Sequence, residues 1–298
     1  MTAGAKVSDP VLALRLASPA WLESVTRVER EDDALHEIPS IASASLAQSL
    51  ASPGYCLAGR IPLRAVSALR AGIVALDDAG YPPTLIFLGD LAWSVGRRIA
   101  ALCSSALRCD YVLACDVYAW NLVPGRDRAG WSWHRGIEEL TRPCTSPDSF
   151  VPPSVLNAWV ALCDVSVGDA CIWAVPLQED RDYPLRLESM SSIDRAVPLE
   201  AAAGEVLVWD ANVLHCGGVM AENSLGRQAA SFTLVRAESR TEIRKTSNAP
   251  MSYAERLGVV SDMLDIYAAH DCRFDASLPT TLRLAAALVS KRSAKPRS

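Results

Sequence analysis

What this chain lacks narrows its identity first. Histidine is scarce, with four in 298 residues, so few imidazoles are available to any metal. None of the nine cysteines falls in a C-x-x-C pair or at zinc-site spacing, which argues against a structural zinc centre. Gly-rich phosphate loops of the P-loop or dinucleotide type are missing. No run of eighteen apolar residues occurs, so no membrane-spanning helix is expected. Positive charge is not in excess either. Lys and Arg total 29 against 34 Asp and Glu, a net charge of −5, which argues against a nucleic-acid polymer or an anionic membrane surface as partner. The single basic run, Lys291 to Arg297, reads as a solvated tail. Nothing near Met1 resembles an export signal, because the apolar stretch Val11–Ala17 is short and broken by Arg15. The cysteines therefore read as reduced thiols filling core space, and a cytoplasmic location is the expectation.

What is present suffices for a sizeable core, since half the chain is hydrophobic. The first third is alanine-rich with apolar residues at helical spacing, over Gly59–Leu76 and again over Gly89–Leu107, where Leu91, Val95, Ile99 and Leu102 share a face. From Asp110 the pattern changes to short runs rich in Val, Trp, Tyr and Cys. Strands are expected at Tyr111–Trp120, Gly130–Gly136, Val155–Asp164, Ala170–Pro176, Glu205–Trp209, Val213–Cys216 and Ala229–Arg236, punctuated by Pro124-Gly125, Gly168-Asp169 and Ala203-Gly204. After Thr241 a helical pattern returns, with a capping box at Ser252-x-x-Glu255 and a stripe of Leu257, Val260, Leu264 and Tyr267. Strands without intervening helices suggest an antiparallel sandwich or barrel. The reading is one structural domain: a helical region over 1–109 packing on a β core over 110–240, then a C-terminal helix and basic tail over 241–298.

Two of the four histidines stand on expected strands. His36 and His270 read as surface residues, whereas His134 and His215 belong to the β core. Strand alternation would put His134 and Gly136 on one face and Arg135 on the other. Arg227 opens a strand on which Ala229, Ser231 and Thr233 share its face. An inward arginine beside inward hydroxyls is costly unless it meets an anion, and a planar guanidinium suits a carboxylate held bidentately. Two histidines for a metal and one such arginine form the layout of an iron and 2-oxoglutarate site.

The segments G-W-S-W-H-R-G (130–136), L-N-A-W-V-A-L-C-D-V (156–165), D-A-C-I-W-A-V-P (169–176) and those around His215 and Arg227 occur in the order of a known family. Over 110–236 the chain resembles the phytanoyl-CoA dioxygenase family of Fe(II)/2-oxoglutarate enzymes. The resemblance implies a double-stranded β-helix, a cupin-like jelly roll, mainly β with helices on its flanks. It implies Fe(II), 2-oxoglutarate and O2 as cofactors. It places the first metal motif on His134-Arg135-Gly136, the distal metal ligand on His215 and the 2-oxoglutarate arginine on Arg227; Ser231 or Thr233, on the Arg227 face by alternation, would help it hold that carboxylate.

Gly136 departs from the family, which has a metal-binding carboxylate there. Three readings stay open. The iron is absent and the chain is a binding protein; Glu138 or Glu139, or water, supplies the third position of a hydroxylase; or an exogenous anion takes it. The last resembles halogenases of this kind, in which Ala or Gly stands at that position and chloride binds the iron. It implies chlorination of an unactivated carbon of a small metabolite. Arg126, Arg128 and Arg135 lie near the motif and could together hold a substrate phosphate. Trp131 and Trp133, with Trp120, read as barrel core or as a wall that stacks a base. A nucleotide is the substrate class these residues would suit. Cys216 adjoins His215, but strand neighbours face opposite ways, so it reads as a buried thiol rather than a nucleophile. No feature indicates a carrier-protein partner.

Overall fold

Alternation along four long strands builds the molecule, as a computed structural model of the chain shows. The structure describes residues 9–26, 43–136, 150–181, 192–240, 242–246, 250–269 and 275–293. Three short helices come first, α1 (Pro10–Leu16), α2 (Pro19–Thr26) and α3 (Ser43–Ala51). Strand β1 (Tyr55–Arg60) and helix α4 (Leu63–Asp78) follow, then a buried 3-10 turn at Pro83–Leu88 and helix α5 (Asp90–Leu107). The β core comprises β2 (Tyr111–Leu122), β3 (Val155–Ala161), β4 (Ile172–Ala174), β5 (Val197–Leu199), β6 (Glu205–Asp210), β7 (His215–Gly217) and β8 (Arg227–Arg236). Helices α6 (Tyr253–Ile266) and α7 (Leu278–Ser293) close the chain, and the Ser252–Glu255 capping box starts α6 as expected.

The strands form a five-stranded antiparallel sheet in the order β1-β6-β3-β8-β2 and a three-stranded antiparallel sheet in the order β5-β4-β7. One face of the larger sheet carries aliphatic residues such as Leu156, Ala158, Val160, Val206, Val208 and Leu234. They pack with Leu69 and Ile73 of α4, Val95 and Ile99 of α5, and Leu257 and Val260 of α6 in one core. The alternate residues, including Tyr118, Trp120, Trp159 and Trp209, pack toward the smaller sheet in a second core. This is period-two alternation with both faces buried.

Two expectations are corrected. Tyr55–Arg60, whose last two residues begin the stretch Gly59–Leu76 read as helical, is a strand that pairs with β6 at the sheet edge. Gly130–Gly136 is not a strand but irregular backbone joined to the core by isolated bridges, Ala129 to Val219 and His134 to His215. β5 is a strand the spacing does not announce, because three residues are too few to show an alternation. His36 and His270, and the carboxylates Glu138 and Glu139, lie outside the described residues.

Candidate active site

The two sheets enclose a cavity of about 280 Å³. Its large-sheet wall is made by Asp116, Tyr118 and Trp120 of β2, Asn157 and Trp159 of β3, Trp209 of β6, and Arg227, Ser231 and Thr233 of β8. Ile172 of β4 and His215 and Gly217 of β7 face them, and Trp131, His134, Arg135 and Gly136 complete the rim.

His134 and His215 are brought together by the backbone. The His134 N–H donates to the His215 carbonyl at 2.9 Å, and the His215 N–H donates to the His134 carbonyl at 3.0 Å. The ring centroids are 4.2 Å apart. Each Nδ1 lies against a carbonyl two residues earlier, Ser132 at 2.7 Å and Val213 at 2.9 Å. A carbonyl can only accept, so Nδ1 carries the proton and Nε2 keeps its lone pair, the tautomer a metal ligand requires. Burial, reinforced by His134, holds the His215 pKa well below the ordinary imidazole range, so this ring is neutral.

Two glycines let these segments meet. A Cβ on Gly217 would lie 2.5 Å from the Gly130 Cα, and one on Gly130 would lie 2.7 Å from the Gly217 Cα. Only hydrogen fits between the two segments.

Gly136 lines the cavity and is fixed by its N–H on the Ala211 carbonyl at 2.8 Å. A Cβ there would come within 2.4 Å of Asn157 Nδ2. The amide of Asn157 thus stands where an aspartate side chain would begin. Among the described residues no three His, Cys, Asp or Glu side chains group closely enough to hold a metal.

Arg227 is 1% exposed. Its Nη1 donates to the Ala170 carbonyl, while Nε is buried with no partner. The guanidinium carbon lies 5.9 Å and 5.7 Å from the ring centroids of Trp120 and Trp159. Among the described residues no carboxylate pairs with it. Burial lowers its pKa to about 10, which still leaves it charged at neutral pH. Asp169 secures the loops around it. Its carboxylate accepts from the Ser166 hydroxyl at 2.6 Å, the Ser224 hydroxyl at 2.8 Å and the Leu225 N–H at 3.2 Å.

Several expected roles need correction. Ser231 and Thr233 share the Arg227 face, but at four and six residues along the strand they are roughly 13 and 20 Å away, beyond the reach of one short diacid. The Thr233 hydroxyl instead donates to Asp116 at 2.9 Å. The three arginines do not converge. Arg126 is paired with Asp77 at 2.7 Å and Asp127 at 3.0 Å, in a network running through Asn121 to Gln228. Arg128 is exposed and does not border the cavity. Arg135 borders it, but its guanidinium is held by buried Asp180 at 2.7 Å and by the Asn212 carbonyl at 2.6 Å. The phosphate anchor that suggested a nucleotide is not formed. Trp131 joins the wall and Trp133 does not, because irregular backbone breaks the alternation that would have paired them.

Several residues of the cavity wall were not singled out in the sequence as site residues, among them Asp116, Asn157, Trp209 and Tyr267. Asp116 had a signal, a carboxylate in phase with Tyr118 and Trp120 on one strand face. Tyr267 did not, since it continues the apolar stripe of α6 and departs from it only in the 3-10 turn Tyr267–Ala269.

The fold, two antiparallel sheets around a cavity with helices on the outer face, is shared with solved structures. It is similar to AviO1 from Streptomyces viridochromogenes Tue57, at 17% identity over 68% of this chain and 99% of that one, TM-score 0.50. It is also similar to EvdMO1, at 15% identity over 74% of this chain and 59% of that one, TM-score 0.52. SnoK, a non-heme alpha ketoglutarate dependent carbocyclase from nogalamycin biosynthesis, matches at 18% identity over 67% of this chain and 87% of that one, TM-score 0.50. No curated protein matches the sequence. The chain belongs to the phytanoyl-CoA dioxygenase family, whose pattern matches residues 63–220. That stretch includes His134, Gly136 and His215 and ends before Arg227.

Proposed function

We propose that this protein is an Fe(II)- and 2-oxoglutarate-dependent enzyme that oxidises an unactivated carbon of a small molecule, and that a halide binds beside Gly136 and the Asn157 amide in place of the family's carboxylate, making it a halogenase. The two-sheet core is read as the jelly roll that the family resemblance implies. One observation carries the reading. A bridged pair of histidines, both with Nδ1 tied to carbonyls, borders the same cavity as a buried arginine whose Nε has no partner.

The residues present fit the cofactors. His134 and His215 would supply two neutral nitrogen ligands, a donor set that suits iron. Arg227 would take the distal carboxylate of 2-oxoglutarate, giving its buried charge a counter-ion. When bound, the iron with 2-oxoglutarate and O2 supplies a one-electron oxidation strong enough to remove hydrogen from carbon. The chain orients and encloses: tryptophans on both sides of Arg227 exclude water, and the Ser132 and Val213 carbonyls fix the imidazole planes. Gly136 removes the negative charge of a carboxylate beside the histidines, which favours chloride or bromide from solution. The Asn157 N–H beside it offers that anion a donor.

Anaerobic titration with Co(II), a spectroscopic stand-in for Fe(II), tests the metal site. One equivalent should bind, and His134→Ala or His215→Ala should weaken it at least about a hundredfold; unchanged affinity in both variants overturns the metal reading. Arg227→Ala should weaken 2-oxoglutarate binding roughly thirtyfold or more. Chloride should perturb the Co(II) spectrum of the wild type. Because Asn157 would collide with any side chain at 136, the carboxylate is restored by Gly136→Asp together with Asn157→Ala. That double variant should bind Co(II) and ignore chloride. A wild type equally indifferent to chloride removes halogenation and leaves hydroxylation, with Glu138→Ala as the next variant to titrate.

A further inference from the structure

We infer that Asp116 is the substrate-recognition residue of this cavity and that the substrate carries a protonated amine. The inference rests on the reading of the cavity as that enzyme's substrate chamber, and it names the class of molecule admitted.

Asp116 is set in place by a break in β2. Leu113 pairs with Leu234 and Val117 with Phe232, so three residues of β2 stand opposite the single Thr233. The displaced backbone finds other partners: the Cys115 N–H donates to the Arg244 carbonyl at 2.7 Å, and the Thr246 N–H to the Leu113 carbonyl at 2.8 Å. Such a bulge re-aims a side chain. Here the Asp116 carboxylate enters the cavity wall. Tyr267 donates to one oxygen at 2.6 Å and Thr233 to the other at 2.9 Å. The Tyr267 phenol is pushed well above its ordinary pKa, chiefly by burial and then by the Asp116 charge, so it remains a donor.

Both hydrogen bonds come from neutral hydroxyls. Among the described residues no Lys, Arg or His forms an ion pair with Asp116, although its cavity contains two arginines. Arg135 is held by Asp180, and Arg227 stands six residues from Thr233, at the start of the same strand. A carboxylate has about four acceptor sites and two hydroxyls fill only part of them. The surroundings suit a cation. Tyr267 stands 4.5 Å from Trp131 and 5.2 Å from Tyr118, and Tyr118 stands 5.0 Å from Trp131, measured between ring centroids. Three aromatic rings beside one carboxylate attract an ammonium group by ring quadrupole and by charge together. A neutral hydroxyl could use the acceptors but not the charge, and a substrate carboxylate would be repelled.

The experiment uses the full chain and three probes of one shape: phenethylamine, phenethyl alcohol and hydrocinnamate. Calorimetry at neutral pH, without turnover, reads their affinities. The amine should bind at least about tenfold more tightly than the alcohol, and hydrocinnamate should bind more weakly than either. Asp116→Asn, which keeps the shape and both neighbouring hydroxyls, should erase the preference for the amine. Tyr267→Phe keeps the carboxylate and should keep the preference. His215→Ala strikes the metal and should leave the preference intact, so failure of the iron reading and failure of this one are told apart. Equal binding of amine and alcohol to the wild type overturns the inference, as does an amine preference that survives Asp116→Asn or is lost as fully in Tyr267→Phe.

Discussion

The two faces of the five-stranded sheet are made by the same strands and share almost nothing. On the helix side stand Leu156, Ala158, Val160, Val206 and Val208, an aliphatic layer closed by α4, α5 and α6. On the cavity side the intervening residues are Asp116, Tyr118, Trp120, Asn157, Trp159, Trp209 and Arg227. One face supplies mainly apolar burial, its polar groups confined to the Asn121–Gln228 end, where they pair with Asp77 and Arg70 of α4. The other carries a buried cation with an unpaired Nε and indole nitrogens of Trp159 and Trp209 that lack partners. Such groups cost free energy unless a partner satisfies them. Stability and recognition are therefore separated by residue parity, and a one-residue slip of any strand would exchange them.

Substitutions on each face can break that separation or sharpen it. The largest expected effect is on the helix side. Trp93 of α5 is buried against Phe87 and donates its indole N–H to the Phe87 carbonyl at 2.6 Å. Trp93→Ala should cost about 3–5 kcal/mol in chemical denaturation and leave the Co(II) affinity of the folded protein unchanged. A parallel loss of metal would show the faces to be coupled. Arg135→Ala should cost a similar or smaller amount, about 3 kcal/mol, because it strips buried Asp180 of its cation. Unlike the first, it should also weaken Co(II), since Arg135 lies between His134 and Gly136; replacing Asp180 by Leu in the same variant should recover most of the stability.

Arg227→Met should act in the opposite direction. Replacing a buried guanidinium with an unpaired Nε by an apolar chain should raise unfolding free energy by about 1–3 kcal/mol while removing 2-oxoglutarate binding. A destabilised Arg227→Met would mean that the arginine is structural. The smallest effect concerns Asp169. Burial raises its pKa, but hydrogen bonds from Ser166, Ser224 and Leu225 outweigh this and hold it below the ordinary 3.8. A depressed carboxylate contributes stability that is complete above that ordinary value and is lost as pH falls through the folded one. The thermal midpoints of wild type and Asp169→Asn should therefore differ at neutral pH and converge below pH 3.8.

Parity also explains how much could be read before the fold was known. β8 alternates strongly, so Arg227 and its inward neighbours were legible from spacing, whereas inward Asp116 and Asn157 of β2 and β3 were read only as strand residues. Helices α4, α5 and α6 were legible from their stripes. The segment 130–136 looks like a strand in composition, yet it runs as irregular backbone, which is why Trp131 and Trp133 part company and Arg135 turns to Asp180. Pairings such as Arg126 with Asp77 join residues far apart in sequence, and no local pattern announces them. Asn157 beside Gly136 belongs to the same class: each residue was visible, and their collision was not.

The contact between Gly130 and Gly217 has a consequence for how this protein can change over evolutionary time. Where side chains separate two segments, a large residue on one can be traded for a smaller one and the gap refilled from the other. Here backbone rests on backbone, and there is nothing to trade. The span between the histidine-bearing segments is thus insulated from drift in the surrounding core. Aromatic residues lining the chamber can be exchanged to admit new molecules while the histidine pair keeps its spacing, so the same frame can be retuned for different substrates without being rebuilt.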